Sequence, residues 1–246
     1  MADQTGIVGR DAPIEDRLIV GLDLPSVDAA RALVDRLGDT VRFYKIGLQL
    51  QFAGGIDFAA ELIADGRKIF LDTKLFDIEQ TVASATDSIA RLGVHFLTVH
   101  GIGPTPAAAV RGRADSDLKL LAVTVLTNFD ADDIRRMGYA WDLADLVLHR
   151  ARESVAAGCD GIVASGAEAA RLREALGDGP VIVTPGVRSA GVPRGDQKRV
   201  VTPADAIAGG ADYIVSAREV TQAGDPKAAA RRLQDDIHTA FAARTP

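Results

Sequence analysis

The chain has 246 residues, 47% of them hydrophobic and 25% charged, a profile of a globular protein large enough to bury a sizeable core. A net charge of −6 argues against general nucleic-acid binding. No apolar run approaches the roughly 20 residues that span a bilayer, no signal-peptide pattern opens the chain, and the single cysteine, Cys159, excludes an intrachain disulfide; the expectation is a cytoplasmic protein with neither membrane nor nucleic-acid partners.

Residues 1–15 read as a loose N-terminal arm, and residues 16–246 as one catalytic domain. The first apolar run, Arg17 to Leu24, is a strand. Ser26 caps a helix over VDAARALVDRL, and Gly38 ends it. Val41 to Leu48 is the second strand, followed by a helix within 56–64. The third strand is centred on Ile69-Phe70-Leu71 and leads to a helix over 81–91. His95 to His100 is the fourth strand. Leu118 to Leu126 is the fifth, with a helix around 143–157, and Asp160 to Ala164 is the sixth, with a helix over 167–176. Pro180 to Thr184 is the seventh and Ala211 to Val215 the eighth. A helix over 226–243 closes the chain.

Short strands that are apolar on both faces and separated by helices make a parallel sheet. Eight of them in a chain of this length predict an α/β fold, a single closed (β/α)8 barrel of the TIM type. An open doubly wound sheet would require a Gly fingerprint after the first strand, and Gly21-Leu22-Asp23-Leu24-Pro25 is not one.

Barrel enzymes build their sites at the C-terminal ends of the strands. Those ends carry Asp23; Lys45; Asp72, Lys74 and Asp77; His100; Thr127 and Asn128; Ser165; Gly186 and Arg188; and Ala217 and Arg218. Asp72 and Lys74 are two apart, so on a regular strand they share a face. A structural ion pair would satisfy that spacing equally well. A polar group at one end of every otherwise apolar strand is harder to reconcile with packing alone, and it points to catalysis. After the seventh strand, PGVRSAGVPRGDQKR combines glycines with basic residues, the chemistry of a phosphate-binding loop. No two of the four histidines are spaced as metal ligands, and His95, His100 and His149 read as structural. Tyr139 and Trp141 read as packing residues.

These segments resemble the orotidine 5′-phosphate decarboxylase family. The resemblance runs from Arg17 to about Ala230. It is carried by GLD ending in Asp23, YKIG around Lys45, FLDTKLFDI, VTVLT ending in Thr127, TPGVR ending in Arg188, GDQKRVVTP containing Gln197, and the segment around Arg218. It implies a cofactor-free, metal-free decarboxylase acting on a nucleotide, and a homodimer with shared sites. Lys74 would be the general acid, and Asp72 would lie beside the departing carboxylate. Lys45 and Asp77 would complete an alternating Lys–Asp array, with Asp77 reaching the neighbouring subunit's site. Asp23 and Lys45 would hold the ribose, with Thr81 helping across the interface. Thr127 and Asn128 would face the base. Arg188, Gln197, Arg218 and the backbone of Ala217 would take the phosphate.

Six positions depart from the family pattern, three of them at the site. Asn128 replaces a serine, Ala217 replaces a glycine and would crowd a backbone N–H, and Glu219 would weaken phosphate binding if it pointed inward. Phe76, Glu79 and Gln80 also differ and read as lineage variation. Two alternatives stand beside this reading: a sugar-phosphate aldol synthase or decarboxylase of the same superfamily using Mg2+, and a silent barrel that senses a nucleotide.

Overall fold

The computed structural model describes residues 12–189 and 201–244. Eight parallel strands close into a barrel in sequence order: β1 (Leu18–Gly21), β2 (Phe43–Gly47), β3 (Lys68–Leu75), β4 (Phe96–His100), β5 (Lys119–Val123), β6 (Gly161–Val163), β7 (Val181–Pro185) and β8 (Tyr213–Ser216). β8 pairs back onto β1 through Leu18 and Ile214, Ile19 and Val215, and Val20 and Ser216. Every strand predicted from the sequence is present.

The helices follow the same rhythm. α1 (Val27–Leu37) starts where the Ser26 hydroxyl accepts the Ala29 N–H and stops at Gly38, which has φ +54°. The chain then adds α2 (Leu48–Leu50), α3 (Ile56–Ala64), α4 (Glu79–Ala90), α5 (Thr105–Arg113), α6 (Ala131–Arg136), α7 (Leu143–Ala156), α8 (Gly166–Leu176), α9 (Pro203–Ala208), α10 (Arg218–Thr221) and α11 (Pro226–Arg244). The sequence pattern did not reveal α2, α5, α6, α9 or α10. Four of these have six residues or fewer or lack a long apolar stripe, and α5 is rich in alanine, so its buried face carries little periodic signal.

The strands bury both faces, for different purposes. Outward residues such as Val20, Tyr44, Leu71 and Leu97 pack under the helices. Inward residues form a separate cluster of Ile19, Phe43, Phe70, Phe96, Leu121, Val183 and Tyr213, joined by Ala12 from the residues before β1. Phe43 and Phe96 lie 5.1 Å apart by ring centroid, and Phe96 and Tyr213 meet edge to face at 5.2 Å. Aromatic contacts of this kind contribute about 0.5–1.5 kcal/mol each beyond area burial.

This plug fills the N-terminal half of the barrel. Two residues further along each strand the inward position turns polar: Phe43 is followed by Lys45, Phe70 by Asp72 and Phe96 by Thr98. The period of two along a strand therefore stacks a polar layer directly on an apolar floor.

Candidate active site

A cavity of about 680 Å³ opens above that floor. Phe70, Val123, Val163 and Val215 form its base, Leu24, Leu48, Val125, Leu126 and Pro185 add apolar wall, and Asp23, Lys45, Asp72, Lys74, Thr127, Arg188, Arg218 and Gln222 supply the polar groups. Four cationic side chains against two carboxylates leave an excess of positive charge, which suits an anionic ligand.

The charged groups form a chain. Lys45 Nζ lies 2.9 Å from Asp23 Oδ1 and 3.4 Å from Asp72 Oδ2. Asp72 Oδ1 lies 2.8 Å from Lys74 Nζ and also accepts the Thr98 hydroxyl at 2.9 Å. Burial would favour neutral Lys45, but the Asp72 and Asp23 carboxylates override it and raise its pKa. Burial would likewise favour neutral Asp72, and the two flanking ammonium groups override it and hold the carboxyl below its ordinary range. Each group keeps its neighbour ionised in a place where either alone would be costly.

The strand reaches this geometry irregularly. β3 runs on through Asp72 and Lys74 to Leu75, as their shared face required, and Asp77 lies past it, but the pairing of β3 with β4 slips between Leu71 and Leu75. Within the slip Lys74 has φ +53°, a left-handed conformation uncommon for a residue with a side chain. Asp72 and Lys74 do share the cavity, although a bulge rather than a regular pleat brings them together.

Arg188 is buried and donates to the Val187 carbonyl at 3.0 Å, while its own N–H donates to Val201 O at 3.1 Å. Arg218 opens α10 after β8 and reaches the same cavity. Ala217 also lines it. A Cβ placed on Gly21 would come within 3.0 Å of the Ala217 methyl, so the methyl occupies space that Gly21 leaves open. Glu219 does not line the cavity; its carboxylate accepts the Ser189 N–H at 3.2 Å.

Several predicted residues lie elsewhere in this chain. Asp77 is exposed outside the cavity and accepts the Ile78 N–H at 2.7 Å, so within one subunit the array runs Asp23–Lys45–Asp72–Lys74. Thr81 and Asn128 are exposed and do not line the cavity. Ser165 is buried and caps α8 by accepting the Ala167 N–H. His100 stands against Phe76 at 5.7 Å, its pKa lowered by burial and by Lys74 and Arg150. Gln197 lies outside the described residues, as do Gly191, Arg194, Gly195, Lys198 and Arg199 of the same loop.

Sequence reasoning overlooked Thr98, Gln222 and the apolar wall. Thr98 carried a signal, a lone hydroxyl at an inward position of β4 between two apolar neighbours. Gln222 carried none.

An eight-stranded α/β barrel with lysines and carboxylates joined at the C-terminal ends of its strands defines a barrel enzyme with its site in the usual place. A family model described as orotidine 5′-phosphate decarboxylase / HUMPS family matches residues 16–233, and the chain belongs to that family. It is 55% identical over 227 residues to an orotidine 5′-phosphate decarboxylase of Rhodopseudomonas palustris strain BisA53, covering 92% of this chain and 97% of that one. Over 229 residues it is 51% identical to the enzyme of that name from Bradyrhizobium diazoefficiens, with 93% and 97% covered. Among solved structures it resembles orotidine 5′-phosphate decarboxylase from Lactobacillus acidophilus, with a TM-score of 0.80 and 35% identity over 90% of this chain and 99% of the other.

Proposed function

We propose that this chain decarboxylates orotidine 5′-phosphate to UMP, the last step of de novo pyrimidine nucleotide synthesis. The observation that carries the proposal is the Lys74 ammonium, 2.8 Å from Asp72 in a cavity with excess positive charge. A sugar-phosphate enzyme of the same superfamily is the alternative, but the named relatives favour the nucleotide reaction.

In this reading the bond from C6 to the carboxylate breaks and its electron pair stays on C6. The orbital lies in the ring plane, so resonance gives it little stabilisation. A fixed cation beside C6 supplies the missing stabilisation, and Lys74 is that cation. Its Nζ proton then passes to C6, giving UMP, and the amine is reprotonated from solvent. Asp72 sits next to the substrate carboxylate, and their repulsion is relieved as carbon dioxide leaves.

Asp23 and Lys45 hold the ribose hydroxyls, Thr127 faces the base, and Arg188, Arg218 and the Ala217 backbone bind the phosphate, with Gln197 assigned to the same group. A phosphate monoester carries about two negative charges, which the arginines balance. Its binding energy, remote from the reacting carbon, aligns the charged array.

The proposal includes a homodimer. Phe52, in the helical segment after β2, and Phe76 and Ile78, in the loop after β3, are exposed large apolar residues, the last two flanking the exposed Asp77. Covering them with a second subunit would bring Asp77 of the partner subunit to this site, with Thr81 and Asn128 at the interface. It also treats residues 16–246 as one catalytic domain, in line with closure of β1 on β8. A cytoplasmic setting is included as well: Cys159 is buried and free, so the fold needs no oxidising compartment.

The test is release of carbon dioxide from carboxylate-labelled orotidine 5′-phosphate, with and without EDTA. Turnover in both conditions supports the reading. No release in either condition, with turnover of a sugar phosphate that EDTA abolishes, favours the Mg2+-dependent alternative, and tight UMP binding without turnover favours the sensor.

A further inference from the structure

Lys74 needs more than a carboxylate to hold it. Its backbone is left-handed at φ +53°, inside the slipped pairing between β3 and β4. For a residue with a Cβ that conformation costs roughly 1–2 kcal/mol unless the surroundings enforce it. The surroundings meet it at one atom. The Lys74 N–H donates to Thr98 Oγ1 at 2.9 Å, and the Thr98 hydroxyl donates to Asp72 Oδ1, also at 2.9 Å. Asp72 Oδ1 in turn meets Lys74 Nζ at 2.8 Å. The contacts form a closed ring: Lys74 main chain to Thr98, Thr98 to Asp72, and Asp72 back to the Lys74 side chain. Thr98 is fully buried, and β4, which is paired with both β3 and β5, carries it.

We propose that Thr98 is a positioning residue for the reaction. One hydroxyl uses its acceptor side to fix the left-handed backbone of Lys74 and its donor side to orient the Asp72 carboxylate. The two charges that act on C6 are thereby locked to each other through β4. A threonine suits the position because one hydroxyl can accept from one partner and donate to the other. The inference rests on the decarboxylase reading for its kinetic consequences, but not for its geometry.

The experiment has a kinetic arm and a structural arm. Thr98→Val keeps the shape and removes the hydroxyl. Its kcat is expected to fall on the order of tenfold to hundredfold, as for small misplacements of reacting groups, with KM within about threefold of wild type. Thr98→Ser should return kcat to near wild type. A purely structural role would lower the melting temperature of Thr98→Val and leave the kcat of the folded fraction unchanged, and that result overturns the proposal. The structural arm uses wild-type protein: the Lys74 amide should exchange slowly with deuterium in NMR. Exchange as fast as a solvent-exposed amide overturns the proposal even if Thr98→Val does not fold. Wild-type protein inactive on orotidine 5′-phosphate counts against the functional reading alone, and amide exchange still decides whether Thr98 holds Lys74.

Discussion

Gly47 and Asp23 stand so close that a Cβ at position 47 would lie 2.6 Å from Asp23 Oδ1 and 3.0 Å from Lys45 Nζ. The last residue of β2 therefore has no side chain because the first carboxylate–lysine pair of the site fills that space. Gly47 has φ −87°, so the constraint is volume and not backbone conformation.

Gly47→Ala tests that constraint. The methyl forces Asp23 off Lys45 while the barrel stays closed. If Asp23 and Lys45 hold the ribose, the loss of about one charge-assisted hydrogen bond, near 1.5 kcal/mol, raises KM roughly tenfold. The melting temperature should move by only a few degrees. Steady-state kinetics and a thermal melt check both, and an unchanged KM would remove Asp23 from ribose binding.

Asp77 lies outside the cavity of its own subunit, which gives the shared-site proposal a sharp test. Lys74→Ala and Asp77→Ala are each expected to fold and to be inactive. Unfolded together and refolded, half of the dimers are hybrids, and each hybrid has one complete site. Activity should return to roughly a quarter of wild type. Hybrids shown to form but remaining inactive would count against a shared site.

His95 sits at the other end of the barrel and predicts acid sensitivity. Its Nδ1 accepts the Ile69 N–H at 3.3 Å, and its ring meets Phe43 edge to face at 6.0 Å. Burial, aided by Lys68 and opposed by Asp16, pushes its pKa from 6.5 down to about 4. Between those values the unfolded chain binds a proton that the folded chain does not, so stability falls as pH falls through that window. The full loss is on the order of 3 kcal/mol. Asp72 is held below its ordinary 3.8 and Lys45 above 10.5, so both stay charged throughout. Thermal unfolding at pH 7.5 and 4.5 should show the drop, and His95→Asn, which keeps an acceptor, should flatten it. Parallel curves for the two proteins would exclude His95 as its source.

The sequence by itself determined the barrel. Eight doubly apolar strands with intervening helices can bury their faces in few other ways, and the polar residue closing each strand marked the working end of the cylinder. Lys45, Asp72, Lys74, Arg188 and Arg218 were legible for that reason, since each breaks an apolar run at a fixed place. Tertiary structure alone decided how they meet. The slip between β3 and β4 places Lys74 by a left-handed backbone that a two-residue spacing does not encode. Thr98 joins the array from a neighbouring strand 24 residues away from Lys74. Whether Glu219 points inward, the condition on which it would weaken phosphate binding, was likewise decided only by the fold: its carboxylate accepts the Ser189 N–H. Periodicity reports which face of a strand is buried, whereas the partner across the barrel follows from register, and register is set by many weak contacts at once.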